Sequence, residues 1–562
     1  MTSKILFILL LSVACIEQGI AQTLQYQGSP FGFIMGNPLH RDKTLNGMID
    51  LGAKWIRLSG AAGIVWDMVE HTQNTYNWNN ADSMISAFYN AGINVLVTIG
   101  VSNNAYQSIN GYLPADSNAY KTFISKMAER YDGDGIDDAP GPPVVSAWQI
   151  GNEVDGWWKD TNENYATLMK ESYSTIKSVN PKAKILIAGM AGPLGISKYS
   201  SILSYINNGK YLDVFDFHWH ATSGGNYKNH NTRNPDIINN FDQLLSEIKN
   251  TLNNNNYINS EIWTTEMSIS DINPAGQTEK IQAVDLVKRY VYPGAKGVDI
   301  IFWGTLYEQS GFGGVSGNTN YFNTQGLINN PLNDGLSHKK LAYYTYKKMV
   351  EVLEGSDWNN IATVQEQDGV YIYKFTNQGK PIWIAWNDNS VARTITISGI
   401  SSNRVKTTEA VPKYESGKDV ADYATAFRMD TLVVTNGAVA LTLGQRPVFI
   451  EPPTLTSVED EGENIPQEFV LYQNYPNPFN PTTTIRFSLP QRTYVMLKVF
   501  DVLGREVATL VDDYKQPGIY NSQFSIRNLP AGRQGFQLPS GVYFYQLSAG
   551  GKSITRKLIL IR

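Results

Sequence analysis

The chain has 562 residues, 42% of them hydrophobic and 17% charged, with a formal net charge of −5. That length exceeds what one core sustains and divides into roughly three or four folding units. No polybasic run is present, which argues against nucleic acid or anionic lipid as the partner.

The N-terminus starts with Lys4, continues as the apolar "ILFILLLSVAC" and reaches small residues at Gly19 and Ala21. This is the layout of a secretory signal peptide, so residues 1–21 are expected to be removed by cleavage near Ala21. The apolar run is too short to span a bilayer, and no later run is long enough, so no transmembrane helix is expected in the mature chain. Cys15, the only cysteine, lies inside this leader. Neither a disulfide nor a thiolate metal site is then available. Catalysis would have to run on carboxylates, histidines, hydroxyls or a hard cation, and no cofactor is required.

Eight short apolar segments follow: "FGFIMG" at 31, "WIRLSG" at 55, "NVLVTIG" at 94, "VVSAWQIG" at 144, "AKILIAGM" at 183, "YLDVFDFHWH" at 211, "EIWTTEMS" at 261 and "VDIIFWG" at 298. Between them lie stretches of helical period, such as Tyr165, Leu168, Met169, Ser172 and Ile176. Eight such units predict an α/β fold, a (β/α)8 TIM barrel over residues 22–350. In that architecture catalytic groups sit at the carboxyl ends of the strands.

After residue 350 the pattern changes to period two in "GVYIYKF", "PIWIAW", "TLVVTN" and "RPVFIE", which predicts a β-sandwich over residues 351–452. Residues 453–466 are acidic, poor in aromatics and read as a linker. A second C-terminal β-sandwich module is expected over 467–562. Within it "LPAGRQGFQLPSG" repeats Leu-Pro at 529 and 538, a small insertion in a hairpin loop with no functional reading.

Two glutamates fall where a barrel would use them. Glu153, in "WQIGNEVDGWW", lies just past the strand beginning at Val144, and Glu266 lies at the end of the strand beginning at Glu261. Glu261, at the opposite end, is a poorer candidate. Paired carboxylates across a glycosidic bond are what retaining hydrolysis needs: one attacks, and the other protonates the leaving oxygen and then activates water. Asn152 has a use beside them, donating to a sugar hydroxyl as positive charge develops. The competing reading makes both glutamates structural ion-pair partners.

"WQIGNEVD" resembles the acid/base motif of clan A glycoside hydrolases, and "IWTTEMS" resembles their nucleophile motif. The separation, 266 − 153 = 113 residues, fits three intervening βα units. Arg57 in "WIRLSG" matches the arginine that holds the nucleophile in that clan, His218 in "FDFHWH" the histidine of strand six, and Trp303 in "IFWG" the aromatic platform of strand eight. Families 5 and 39 are the nearest in appearance. Two positions depart from the pattern: Val154 stands where proline is commoner, and His220 where a tyrosine is expected beside the nucleophile.

The resemblance implies an exported retaining O-glycosyl hydrolase with Glu153 as acid/base and Glu266 as nucleophile. It implies a plant or algal β-linked polysaccharide, or its oligosaccharides, as substrate. Asn152, Arg57, His218, His220, Trp303, Trp157 and Trp158 are then the substrate-binding candidates. Plainer roles stay open: Arg57 as a core-capping ion pair, His218 and His220 as satisfied barrel histidines or metal ligands, Trp303 as barrel packing, Trp157 and Trp158 as loop packing. A catalytically silent glycan-binding protein on the same barrel is the rival class.

"RYDGDGIDDAPG" sets Asp132, Asp134, Asp137 and Asp138 among glycines. Clustered hard oxygens suit a structural Ca2+; the spacing departs from the EF-hand, and a solvated acidic turn is the other reading. Finally, "NYPNPFNPTTTIRFSLP" with the closing "GVYFYQL" and "KLILIR" is similar to the sorting domain read by the type IX secretion system. It implies that machinery as a partner, and a secreted or cell-surface location. A carbohydrate-binding module is the alternative for this segment.

Overall fold

The computed structural model describes residues 28–560 apart from 193–194, 222–225, 230–239, 272–277, 312–320, 454–467, 475–476 and 527–537. The leader at 1–21, the linker from residue 454 and the first Leu-Pro of the repeat lie outside the described residues.

Eight parallel strands close into a barrel: β1 (Phe31–Met35), β2 (Trp55–Leu58), β3 (Asn94–Gly100), β4 (Ala147–Ile150), β5 (Lys184–Ile187), β6 (Val214–Ala221), β7 (Glu261–Ile269) and β8 (Ile300–Thr305). Each pairs with its neighbour in parallel register, and β1 pairs with both β2 and β8. A short strand at Ile64–Val65 adds to the edge of β3. The strands are apolar almost throughout because helices cover one face and the barrel interior the other.

That interior is layered. Trp55, Leu96, Ala147, Leu186, Val214, Trp263, Ile300 and Phe302 form a buried cluster across seven strands, with Trp55 and Trp263 meeting edge to face at 5.1 Å. Side chains alternate along a strand, so the next inward positions, two residues on, are Arg57, Thr98, Gln149 and Asp216. All four are buried. A polar layer therefore rests on an aromatic plug, towards the carboxyl ends of the strands.

The covering helices are α1 (Arg41–Leu51), α2 (Asn79–Tyr89), α3 (Ser117–Arg130), α4 (Asn162–Val179), α5 (Ile196–Ser204), α6 (Phe241–Asn254), α7 (Glu279–Ala295) and α8 (Leu341–Leu353). Helix α8 runs past residue 350, and the sandwich strands begin only at Ala362. One sheet of the sandwich has six strands and the other two. Tyr371, Tyr373, Trp386 and Phe449 from the larger sheet join the same core as the barrel helices. Lys288 of α7 and Lys296, which caps its C-terminus, pair with Asp388 and Glu366 across this seam. Nearly every residue of α7 from Asp285 to Gly294 is buried, because it has the barrel on one side and the sandwich on the other. Residues up to Pro453 accordingly form one compact unit.

The second unit is an antiparallel sandwich of a three-stranded and a four-stranded sheet, filled by Ile485, Phe487, Leu497, Tyr545 and Leu558 among others. No helix among the described residues is long and apolar enough to cross a membrane.

Candidate active site

Arg57 organises the polar layer. Its Nε donates to Gln149 Oε1 at 2.8 Å, one terminal nitrogen to Asn152 Oδ1 at 2.5 Å and the other to Glu266 Oε1 at 2.7 Å. The planar guanidinium thereby fixes three partners at once. Because the Asn152 oxygen is taken, its amide nitrogen is the group left to face a ligand.

The two glutamates are presented by different local devices. After β4 the chain turns through Gly151 (φ 81°) and Glu153 (φ 48°), both left-handed; for a glutamate that conformation is strained and is a feature of functional turns. Gly151 is further required because a Cβ there would lie 2.4 Å from the Trp157 ring. On β7 the device is a bulge: the β7–β8 ladder shifts between Thr264 and Met267, and the β6–β7 ladder between Phe217 and His218. A bulge lets two consecutive residues point the same way. Thr265 reaches inward to Asp216 while Glu266 reaches inward to Arg57. Glu266 thus lies within a strand that continues to Ile269, three residues before its end.

His218 links the pair. Its Nδ1 is 2.8 Å from Glu153 Oε1 and 3.8 Å from Glu266 Oε2. Its Nε2 is 3.2 Å from Thr265 Oγ1, whose own hydroxyl donates to Asp216 Oδ2 at 2.6 Å. Since the Thr265 proton is spent on Asp216, the threonine oxygen accepts from Nε2–H, and Glu153 Oε1 accepts from Nδ1–H. Both ring nitrogens are donors, so His218 is an imidazolium. Burial works against that charge, but Glu266, Asp216 and Glu153 outweigh it and push His218 up to about 10. With no lone pair left, His218 does not suit a metal-ligand role.

Burial likewise works to raise the Glu266 carboxyl. The His218 charge, the nearby His220 and Arg57 prevail and hold it well below the usual carboxylate range. Glu266 is therefore an ionised base with 19% of its side chain exposed, while Glu153 has 32% exposed. His220 approaches Glu266 Oε2 at 3.4 Å through Nε2, with its Nδ1 2.7 Å from Ser268 Oγ.

The aromatic candidates divide. Trp157 is partly exposed, with its indole donating to Asn110 Oδ1 at 2.7 Å. Trp158 and Trp303 do not match the expectation of sugar platforms: both are buried. Trp158 packs edge-on against Tyr165 and donates to the Thr161 carbonyl. Trp303 faces the helix layer and donates to the Gln325 carbonyl. In the acidic loop, donor atoms of Asp132, Asp134 and Asp138 lie within 4.8 Å of one another, and Asp137 stands outside that group.

Sequence reasoning missed Gln149, Asp216 and Thr265, which hold Arg57 and His218 from behind, and Ser268, which holds His220. The signal was there for Asp216: Asp216, His218 and His220 alternate along one strand and all point inward. Gly189 was missed as well; a Cβ there would lie 2.1 Å from His218 Nε2, so that histidine fits only against a bare backbone.

Among solved structures, the chain is similar to a family 39 glycoside hydrolase from the gut symbiont Bacteroides cellulosilyticus WH2, at 17% identity and a TM-score of 0.56, over 75% of this chain and 80% of that one. It is also similar to a monomeric beta-xylosidase from Caulobacter crescentus CB15, at 15% identity and 0.52 over 76% and 97%. A third likeness is to the catalytic domain of the family 30 xylanase C from Talaromyces cellulolyticus, at 15% and 0.50 over 76% and 97%. At these identities the likeness is one of fold. No curated protein sequence matches the chain. Residues 473–561 match the family model described as the secretion system C-terminal sorting domain, which indicates export through the type IX system, with release or attachment at the cell surface. The chain therefore joins a type IX sorting domain to a barrel with the fold of clan A glycoside hydrolases.

Proposed function

We propose that this protein is an exported retaining glycoside hydrolase that cleaves β-glycosidic bonds in a plant or algal polysaccharide or its oligosaccharides. One observation carries the reading. Glu153 and Glu266 both approach the same His218 nitrogen, at 2.8 and 3.8 Å, so their nearest oxygens are at most the sum of these apart, about 6.6 Å. Retaining enzymes hold their carboxyls about 5–5.5 Å apart and inverting ones about 6.5–9.5 Å. The bound leaves almost none of the inverting range.

The charge around Glu266 supports a division of roles. Glu266, kept ionised by its cationic neighbours, has no proton to give and attacks the anomeric carbon as the glycosidic C–O bond breaks. Glu153, the more exposed of the two, protonates the departing oxygen. It then takes a proton from water, whose oxygen displaces Glu266 from the sugar. Arg57 orients Glu266 and Asn152, and the Asn152 amide contacts the sugar hydroxyl beside the reacting carbon. Next to Asn152, an open cavity of about 180 Å3 is walled by Trp157, Asn110 and the strand-end glycines Gly100 and Gly151. Its lining has no charged side chain, which supports a neutral sugar ring stacked on Trp157.

The test is hydrolysis of a panel of aryl β-glycosides and β-glycans by the mature chain, with Glu153→Ala and Glu266→Ala alongside. The expected result is cleavage by the wild type, loss in both variants, and azide rescue of Glu266→Ala with inverted product. A wild type that binds a glycan of the panel and cleaves none would replace this reading with that of a binding protein.

A further inference from the structure

His220 has its Nδ1 2.7 Å from Ser268 Oγ, and the Ser268 hydroxyl donates to Gln325 Oε1 at 2.5 Å. The serine proton being spent, its oxygen accepts from His220 Nδ1–H. The tautomer is thereby fixed: a neutral His220 carries its single proton on Nδ1 and turns a lone pair from Nε2 towards Glu266 Oε2, 3.4 Å away. Two electron-rich atoms then face each other, and the buried Nε2 has no hydrogen-bond partner. Only the doubly protonated ring offers Glu266 a hydrogen bond.

We infer that His220 is a positioning residue that clamps Glu266 only as an imidazolium, so that loss of its Nε2 proton releases one of the two oxygens of the attacking carboxylate. The inference rests on the nucleophile role proposed above for Glu266. Arg57 holds Oε1 at every working pH, because a guanidinium does not deprotonate there. Oε2 is held by a group that does.

The surroundings bear on that proton from each packed element. Glu266 on β7 favours it. His218 on β6, the strand of His220 itself, with ring centroids 6.3 Å apart, opposes it. Tyr321 and Phe322 meet the ring edge to face at 6.3 and 5.5 Å and contribute no formal charge. Behind these stand Arg57, Glu153 and Asp216.

The test separates this clamp from the acid/base. A 2,4-dinitrophenyl β-glycoside leaves without protonation, so the titration of Glu153 drops out of its first step. With that substrate, wild-type kcat/KM should fall on the basic side, while His220→Gln, whose amide donates at all pH values, should have a lower plateau and lack that limb. A basic limb shared by both, and lying below the range near 10 in which His218 loses its proton, would overturn the inference. A second measurement needs no turnover: in ring nitrogen NMR of the full chain, neutral His220 should be the Nδ1–H tautomer. An Nε2–H tautomer in the neutral ring would refute it. If the chain cleaves no glycoside, the proposed function fails while this spectroscopic arm still decides the His220–Glu266 contact.

Discussion

Glu266 and Glu153 are the same residue type, close to the same imidazolium, in opposite settings. Glu266 sits at a bulge inside a strand, with Arg57, His218 and His220 converging on it. Glu153 sits in a left-handed turn past a strand end, with His218 as its one ion-pair partner among the described residues. The first environment fixes a charge. The second leaves a carboxyl partly exposed beside a single cation. The proposed division of labour rests on backbone form as much as on charge, and it can be attacked from either side.

The largest effect should come from removing either carboxylate. Glu266→Gln and Glu153→Gln should each lower kcat/KM for an unactivated glycoside by on the order of 10^4-fold. The comparison sharpens with an activated aryl leaving group, on which the Glu153 variant should keep its first step while the Glu266 variant should not. Equal losses on both substrates would erase the distinction between the two sites.

Next is Arg57→Met, which leaves the Glu266 carboxylate, Gln149 and Asn152 without their shared donor. Breaking a buried ion pair from one side costs about 3–5 kcal/mol. Thermal melting should record that loss, together with a fall in kcat exceeding any change in KM. A stable and active Arg57→Met chain would mean that the histidines alone hold the nucleophile.

Gly189→Ala pushes on the Glu153 side, because the new methyl meets His218 Nε2. Overpacking of this kind costs about 1–3 kcal/mol, and the rate penalty should be greater for poor leaving groups than for activated ones. The pH dependence of stability separates the two groups again. Glu266 is depressed in the folded chain, so its contribution is complete above its unfolded value and is lost as pH falls below about 4. His218 is raised to about 10, so its contribution is complete below the unfolded value near 6.5 and is lost as pH climbs towards 10. Melting curves of Glu266→Gln and His218→Asn should flatten the acid and alkaline limbs respectively. The smallest effect is that of Trp157→Ala, about a tenfold rise in KM with kcat little changed, as expected for binding shared by ground and transition states.

Much of this was legible in the sequence for a physical reason: strands buried on two faces read as unbroken apolar runs, so polar residues within them stand out. Arg57, Asp216, His218 and Glu266 are such interruptions. The bulge was not legible, since "TTEMS" alternates no differently whether Thr265 or Glu266 begins the new parity. Trp158 and Trp303 misled because an aromatic near a strand end has the same letter whether it faces a sugar or a helix. The sandwich boundary was blurred by α8 and by α7, whose burial on both sides removes the polar stripe that would have marked it as a surface helix.

The shared core of barrel and sandwich bears on how this protein can be taken apart. A gene cut after Leu353 would bare the barrel surface that Tyr371, Tyr373, Trp386 and Phe449 cover, and leave Lys288 and Lys296 without their counter-charges. The sandwich is therefore bound in inheritance to the barrel it covers, and a hybrid enzyme made by exchanging that piece alone should precipitate. The sorting module has its own core and can be traded between unrelated cargoes as an address label, with the barrel and its sandwich unaltered.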